Sequence, residues 1–420
     1  MSTSLQAGAE VVPDRDGRRG FDWRRWGLIA LGGLIAVSVL RIVTGANDLD
    51  SSGAVAAAFG LAVPIALAGL GGLWSERAGV VNIGLEGMMI LGTWSSAFAA
   101  YHWGPWAGIL GGALGGLVGG LIHAVATVYF GVDHIVSGVA LNIIGLGIAK
   151  YLASRFFTGL PGGGPTQSPP LPRPPNLSVP FVGAPLLSLE RRRIVLLSDL
   201  AGIVRGLITN VNVLTVIALG LFVATWWVLW RTAFGLRLRS VGESPAAAES
   251  LGVNVYRYKF LAVLASGAFA GLGGAFLTLV ASNLFRDGQT GGRGYIGLAA
   301  MIFGNWRPGG LLAGSALFGY TDALRLRGGS SVHAVLLLVA VLLIVVGVWQ
   351  LVRNRRVVSG LLAVVIGILT AWWYFAADAV PGELAGTLPY VTTLLVLAFA
   401  SQRLRMPAAD GLVYRKGGGH

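Results

Sequence analysis

Apolar residues along this chain come in long, nearly unbroken runs, with polar residues concentrated between them. A run of about 20 apolar residues is long enough to cross the hydrocarbon core of a bilayer. Such runs predict about ten membrane-spanning helices, at 27–44, 54–73, 80–102, 106–130, 135–157, 213–230, 258–281, 333–350, 358–378 and 389–402. The expected fold class is therefore an all-α polytopic membrane protein.

One further apolar stretch, 295–322, is interrupted at 305–310 by the sequence NWRPGG. Each half is short for a complete crossing. Non-helical backbone at membrane depth is tolerated only where it is buried in protein or lines a cavity. The stretch is therefore predicted to be a broken, re-entrant hairpin near any pathway that the protein has, with its turn directed inward.

Composition and charge support a membrane protein and give it an orientation. Hydrophobic residues make up 55% of the chain and charged residues only 12%, against about 25% charged residues in soluble proteins. This excludes a water-soluble enzyme, a disordered chain and a coiled coil. The net charge of +13 is concentrated at 1–26, 231–257, 353–356 and 403–420. Because basic loops stay on the cytoplasmic side, both termini are expected to be cytoplasmic.

The same pattern divides the chain into regions. A polar cytoplasmic tail (1–26) precedes a transmembrane domain (27–402), and a basic cytoplasmic tail (403–420) follows it. Within the transmembrane domain, the long connection 158–212 is rich in proline and is expected to be an extended extracytoplasmic segment with no core of its own. A small amphipathic helix is predicted within it at 194–208, on the outer surface.

Residues that could perform catalysis are scarce. The chain has no Cys and five His, none of them in a metal-ligand pair, and no magnesium or nucleotide-binding motif is present. No metal site, catalytic residue or bound cofactor is expected. If ATP drives this protein, a separate chain must bind it together with magnesium.

Two sequence blocks recur in the same order. The block AGLGG occurs at 68–72 and again at 270–274, and the block at 83–94 resembles the block at 296–306. With the predicted topology, span 54–73 runs inward and span 258–281 runs outward. The chain is therefore predicted to contain an inverted internal repeat, which many transporters use to build a central site.

Several polar residues lie in or near apolar runs. Glu86 lies inside one, where an ionised carboxylate is costly and is a functional candidate by default. Its predicted partner is Arg77, and a structural or gating role is favoured over substrate contact. Asn82, Asn142 and Asn283 are expected either to hydrogen-bond a ligand or to bridge helices, and Trp306 of the hairpin completes the pathway or gating candidates.

Paired glycines at four-residue spacing, from Gly111-Gly112 to Gly119-Gly120, form a glycine zipper. In a membrane such small residues let helices approach closely. Tight packing is a sufficient explanation, and a moving interface is the alternative.

The basic loop 231–257 contains signals for a short helix. Ser244 is a predicted N-cap, Pro245 suits the first helical position and Gly252 suits the stop. A short rigid helix between spans has the shape of a docking element, with a solvated loop helix as the alternative. The predicted docking residues are Glu243, Ser244, Pro245, Ala247, Glu249, Leu251 and Gly252.

Four segments resemble the permeases of ABC-type importers. They are 75–89 (SERAGVVNIGLEGMM), 235–259 with VGESPAAA at 241–248, 291–308 (GGRGYIGLAAMIFGNWRP) and 388–394 (LPYVTTL). The resemblance is strongest to the branch that handles nucleosides and simple sugars, near the branched-chain amino-acid and ribose permeases. It extends from about residue 55 to the C-terminus.

This resemblance implies a membrane-spanning permease subunit in a bacterial inner membrane. It implies pairing with a second permease (a paralogue or a second copy), ATPase subunits docked on the 244–252 helix, and an extracytoplasmic solute-binding protein. The expected solute is a nucleoside, with a simple sugar such as ribose or galactose as the nearest rival. A proton-coupled transporter using Glu86 is a further alternative, and an intramembrane enzyme lacks any catalytic constellation.

Overall fold

The computed structural model describes residues 23–46, 49–192, 194, 196–327, 329–353, 357–377, 380–381, 384, 386–388, 391 and 404–417. The predicted last span, 389–402, lies outside these residues apart from Val391. The first 22 residues of the predicted N-terminal tail also lie outside them.

The described chain is mainly helical, with very little strand. Its helices are α1 (Trp23–Thr44), α2 (Ser52–Arg77), α3 (Leu85–Trp103), α4 (Pro105–Ala124), α5 (His134–Phe157), α6 (Gly183–Arg191), α7 (Leu197–Ile208), α8 (Val213–Arg231), α9 (Ala233–Glu243), α10 (Pro245–Ser250), α11 (Val255–Phe276), α12 (Arg293–Phe303), α13 (Pro308–Arg327), α14 (Gly329–Val352) and α15 (Val357–Ala376). Short π-helical turns, Val125–Tyr129 and Leu277–Ser282, continue α4 and α11. The short strands β1 (Asn176–Leu177) and β2 (Val211–Asn212) pair antiparallel.

Seven of the described helices are long and apolar enough to cross a membrane. They are α2, α5, α8, α15, α14 from Ser331 onward, and α4 and α11 with their π-helical turns. Shorter apolar helices lie at Gly32–Thr44 and in α12. The prediction of an all-α polytopic membrane protein is confirmed.

The helix predicted at 80–102 begins later than expected, at Leu85. Residues 80–84 are non-helical, and Gly79 before them has a φ of +79°, which favours glycine. Side-chain hydrogen bonds hold this segment in place: Asn82 donates to Ser266, and Asn142 donates to the Ile83 carbonyl. These bonds allow non-helical backbone inside the bundle.

The predicted broken hairpin is present as α12 and α13, but its break is shorter than expected. The interruption covers 304–307, and Pro308, Gly309 and Gly310 form the first turn of α13. Proline is accepted at that position because the first helical N–H has no intrahelical partner. Gly304 and Gly310 are in direct backbone contact, where a Cβ on either would collide with the other.

The repeated sequence blocks occupy inverted positions in the bundle. Helices α2 and α11 are antiparallel, because Gly71 lies against Ser266 while Pro64 lies against Gly273. The helix after each one packs on the opposite partner. Thus α12 runs along α2 through the contact of Gly297 with Ile65, and α3 runs along α11. The inverted repeat therefore forms one interlocked core.

The glycine zipper of α4 packs two neighbours at once. Gly112, Gly116 and Gly120 face the backbone of α11 at Gly267 and Gly271. The first glycine of each pair faces α3 instead, where Gly111 and Gly115 lie against Ala99 and Ser95. Both sets of contacts are backbone-close, as the packing interpretation predicts.

The proline-rich segment 158–212 is more ordered than expected. The helix predicted at 194–208 is present as α7 but begins at Leu197, and it packs on the start of α2 through Gly206 and Ser52. Ser168 is buried and exchanges hydrogen bonds with the Phe285 backbone. The segment lacks a core of its own because it shares one with the rest of the bundle.

Candidate functional site

Glu86 lies in the first turn of α3 and caps the start of α12. Its two carboxylate oxygens accept hydrogen bonds from the backbone N–H groups of Gly292, at 2.9 Å, and Gly294, at 2.7 Å. A helix N-terminus has unpaired N–H groups and a partial positive charge, so a carboxylate is stabilised there. The prediction that Arg77 is the partner of Glu86 is wrong, because the Arg77 side chain donates to the hairpin turn instead.

Asn142 of α5 joins the same region to the non-helical segment before α3. Its side-chain oxygen accepts from the Gly87 N–H at 2.7 Å. Its amide nitrogen donates to the Ile83 carbonyl at 3.0 Å and to the Tyr295 hydroxyl at 2.8 Å. Glu86 and Asn142 are buried, whereas Tyr295 is 46% exposed. Tyr295 is therefore the member of this network that reaches the surface of the chain.

The other two predicted asparagines lie away from that exposed point. Asn82 is fully buried, and its amide nitrogen donates to Ser266 at 2.8 Å. Asn283 has a left-handed backbone, with φ of 57°, and its carbonyl accepts from Leu171 at 2.8 Å. Asn82 thus joins α11 to the segment before α3, and Asn283 joins the end of α11 to the proline-rich segment.

Trp306 fixes the hairpin turn to the end of α2. Its indole N–H donates to Glu76 at 2.6 Å, and its carbonyl accepts from the Arg77 guanidinium at 3.0 and 2.6 Å. Arg77 also pairs with Glu243 at 3.9 Å. These contacts place the hairpin turn beside the loop that follows α8.

The loop predicted for docking contains two helices instead of one. The predicted helix is α10, which begins at Pro245 and ends before Gly252, whose φ is +80°. Ser244 lies at the N-cap but its side chain makes no capping bond. The additional helix α9 precedes it, with Thr232 as its N-cap. Together α9 and α10 are called the coupling elements, after the docking role predicted for this loop.

One face of α10 is packed and the other is open. Ala248 is buried against Val241 and Val255, and Glu249 accepts a hydrogen bond from Tyr414 at 2.5 Å. Ala246, Ala247 and Leu251 are exposed, Leu251 at 85%. Ala246, Ala247 and Leu251, which caps the end of α10, therefore present a small apolar surface that is called the open face of α10.

The described part of the C-terminal tail, 404–417, packs against these elements. This range is called the C-terminal segment. The Ala409 N–H donates to the Gly242 carbonyl at 2.9 Å, and Lys259 donates to the carbonyls of Gly79 at 3.1 Å and Leu412 at 3.5 Å. Burial raises the pKa of the Asp410 carboxyl to about 7, while the nearby Glu76 and Lys259 side chains act to lower it.

Tyr295 and the C-terminal segment were not predicted as functional. Tyr295 lies within the resemblance segment 291–308, and its hydroxyl contact with Asn142 joins residues 153 positions apart. The contacts of the C-terminal segment with α9 span a similar separation. The sequence signals available were a single tyrosine beside glycines and a basic tail, and neither indicates its partner.

Comparison with known proteins identifies the class of this structure. A family model described as "Branched-chain amino acid transport system / permease component" matches residues 54–347. The protein is a multi-pass membrane transport component, and the chain belongs to this permease family. Membership implies partner ATPase subunits and a solute-binding protein in general.

Named relatives extend across most of the chain. A guanosine ABC transporter permease protein of Bacillus subtilis is 34% identical over 274 residues, covering 64% of this chain and 80% of that protein. A nucleoside ABC transporter permease protein of Lactococcus lactis is 33% identical over 360 residues, covering 84% and 93%. A putative glucose ABC transporter permease protein of Haloferax volcanii is 31% identical over 358 residues, covering 83% and 93%.

Proposed function

We propose that this chain forms the translocation pathway for nucleosides in an ATP-driven importer. The observation that carries the proposal is the similarity to a nucleoside permease across 93% of that relative. The guanosine permease relative supports the same solute class. The glucose permease relative makes a simple sugar the second candidate.

The hydrogen-bonded group of Glu86, Asn142 and Tyr295 has features that suit a nucleoside at the exposed Tyr295. A nucleoside offers an aromatic base and sugar hydroxyls, so a site for it requires a ring to stack on and nearby polar groups. Tyr295 supplies a half-exposed ring, and its hydroxyl already bonds to Asn142. Glu86 acts behind them by holding the start of α12 in place.

The coupling elements provide the docking point for the ATPase. The open face of α10, formed by Ala246, Ala247 and Leu251, is small, apolar and held rigidly on α9 and α11. Glu243 and Glu249 lie on its flanks and already bond to the C-terminal segment. In this arrangement ATP and magnesium belong to the partner chain.

The orientation follows from the basic clusters. The end of the bundle that holds α9, α10 and the C-terminal segment faces the cytoplasm of a bacterium, and 158–212 faces outward. A solute-binding protein would approach the outward end. A second permease, either a paralogue or another copy of this chain, would complete the pathway on the side where Tyr295 is exposed.

The test is uptake of labelled guanosine and labelled ribose by cells that lack other uptake routes and express this chain with its ATPase and binding protein. We expect guanosine uptake that stops when the ATPase is inactivated. We also expect Tyr295→Ala to reduce uptake more than Tyr295→Phe, which keeps the ring. Ribose uptake without guanosine uptake would overturn the nucleoside assignment in favour of the sugar.

A further inference from the structure

The C-terminal segment touches three parts of the molecule that would have to move together during transport. The Ala408 N–H donates to the Glu243 carboxylate of α9 at 3.2 Å. The Tyr414 hydroxyl donates to Glu249 of α10 at 2.5 Å. The Arg405 N–H donates to the Asn305 side chain, in the hairpin turn, at 2.8 Å. One short segment thus connects both coupling elements to the hairpin.

Its central residues are packed into the protein. Ala409 and Asp410 are 4% and 7% exposed. Gly79, at the end of α2, lies against the Ala409 carbonyl and against Gly242, so a Cβ there would crowd both. A merely solvated basic tail would not have buried residues or a fixed position against a glycine turn.

The segment also shapes the surface around α10. A cavity of about 430 Å³ lies between α10, the start of α11 and the segment, lined in part by Gly252, Asn254, Tyr414 and Lys416. Asn254 and Tyr256 are shared with a second cavity of about 460 Å³ that continues along α11. Gly252, which lines the resulting groove, directly follows the exposed Leu251 in the chain.

The chemistry of the groove indicates what it would bind. Tyr256 and Tyr414 are in edge contact, with ring centroids 5.3 Å apart, and provide an apolar floor. The exposed basic residues Arg257 and Lys416 line it, with Glu249 as its acidic member. A complementary partner surface would therefore carry apolar and acidic side chains.

We propose that the C-terminal segment is part of the ATPase docking surface and links the coupling elements to the hairpin turn. The occupant of the groove is an apolar and acidic surface of the ATPase subunit, because the groove is lined by aromatic and mainly basic side chains and lies next to α10, where Gly252 lines it. A displacement of α9 and α10 would then reach the hairpin turn through the segment, at Asn305, as well as through Arg77, at Trp306. This inference rests on the proposed function, in which α10 docks an ATPase.

The experiment measures retention of the ATPase by the full chain in mild detergent, and guanosine uptake per ATP hydrolysed after reconstitution. We expect Tyr414→Ala to weaken ATPase binding about 10- to 30-fold, the loss typical of a tyrosine anchor. Tyr414→Phe keeps the ring and removes only the hydroxyl bond to Glu249, so a smaller loss is expected. Phe181→Ala, a ring truncation at the opposite end of the bundle, is the matched control and should bind normally.

A second variant separates this inference from the function on which it rests. Leu251→Arg places a bulky charge on the open face of α10 and should abolish ATPase retention. If Leu251→Arg loses the ATPase while Tyr414→Ala keeps both binding and coupled uptake, the role of the C-terminal segment is refuted and docking on α10 stands. If Leu251→Arg retains the ATPase, docking on α10 is itself wrong and the inference falls with it. Size-exclusion profiles of each variant establish that it is folded.

Discussion

At the scale of single residues, Glu86 separates two mechanisms. A proton-coupled transporter would need it to exchange a proton during the cycle. In the structure both its oxygens accept backbone hydrogen bonds, from Gly292 and Gly294, at the start of α12. This arrangement favours a fixed structural carboxylate over a proton carrier, and the structural or gating role expected from the sequence stays a prediction.

Glu86→Gln tests that interpretation. The substitution removes the charge and leaves one side-chain oxygen for two N–H donors. Hydrogen bonds to charged groups contribute about 1.5–3 kcal/mol each, more than neutral ones. We expect a loss of stability of about 1–3 kcal/mol, measured as a lower midpoint of thermal unfolding in detergent, with Glu86→Ala less stable still.

The alternative makes the opposite prediction for the same variant. If Glu86 carries a proton, Glu86→Gln should abolish uptake while the unfolding midpoint stays near that of the parent protein. Uptake that requires a pH gradient and no ATPase would support that alternative. A lowered midpoint together with partial, ATP-dependent uptake would support the structural role.

At the scale of elements, local signals predicted α10 well. Ser244-Pro245 and Gly252 mark its ends in the sequence, and the helix forms between them. The start of α3 could not be found in this way. Residues 80–84 are mostly apolar, like the helix that follows, and they are held in a non-helical conformation by hydrogen bonds with the distant residues Ser266 and Asn142. The same limit explains the wrong partner for Glu86. Proximity along the chain suggested Arg77, whereas the actual donors lie more than 200 residues away.

The α4–α11 contact yields an element-scale prediction. A Cβ at Gly116 would collide with the Gly267 carbonyl, whereas a Cβ at Gly220, on α8, would meet nothing within 4 Å. Overpacking a tight contact costs typically about 1–3 kcal/mol. We expect Gly116→Ala to lower the unfolding midpoint and the yield of monodisperse protein. Gly220→Ala makes the same chemical change in another spanning helix and should leave both unchanged; equal behaviour of the two variants would contradict the packing assignment.

At the scale of the whole molecule, the sequence predicted the inverted repeat but not how its halves interlock. The antiparallel arrangement of α2 and α11 follows from the repeated blocks and their predicted directions. The exchange of partners, in which α12 runs along α2 and α3 along α11, depends on side-chain shape across the bundle. The packing of the C-terminal segment could not be predicted either, because its buried residues Ala409 and Asp410 lie in a basic, polar stretch of sequence.

The orientation of the molecule in the membrane can be tested by labelling single cysteines from one side. The chain has no cysteine, so single cysteines can be placed without background labelling. Phe181, in the proline-rich segment, is 95% exposed, and Leu251, on α10, is 85% exposed. Helix α2 spans the distance between their regions, because its first residue bonds to Glu190 and its last residue pairs with Glu243.

Bacterial cells whose outer membrane has been removed, and whose inner membrane is intact, are treated with an impermeant thiol reagent. The reagent should label Phe181→Cys. Leu251→Cys should react only after the membrane is opened, because the basic residues around α10 keep that end in the cytoplasm. As a control, Leu251→Cys should be labelled after lysis to the same extent as Phe181→Cys, which shows that the introduced cysteine is reactive. The reverse pattern, with Leu251→Cys labelled in intact cells, would invert the topology and place the ATPase docking face outside, where no ATP is available to drive uptake.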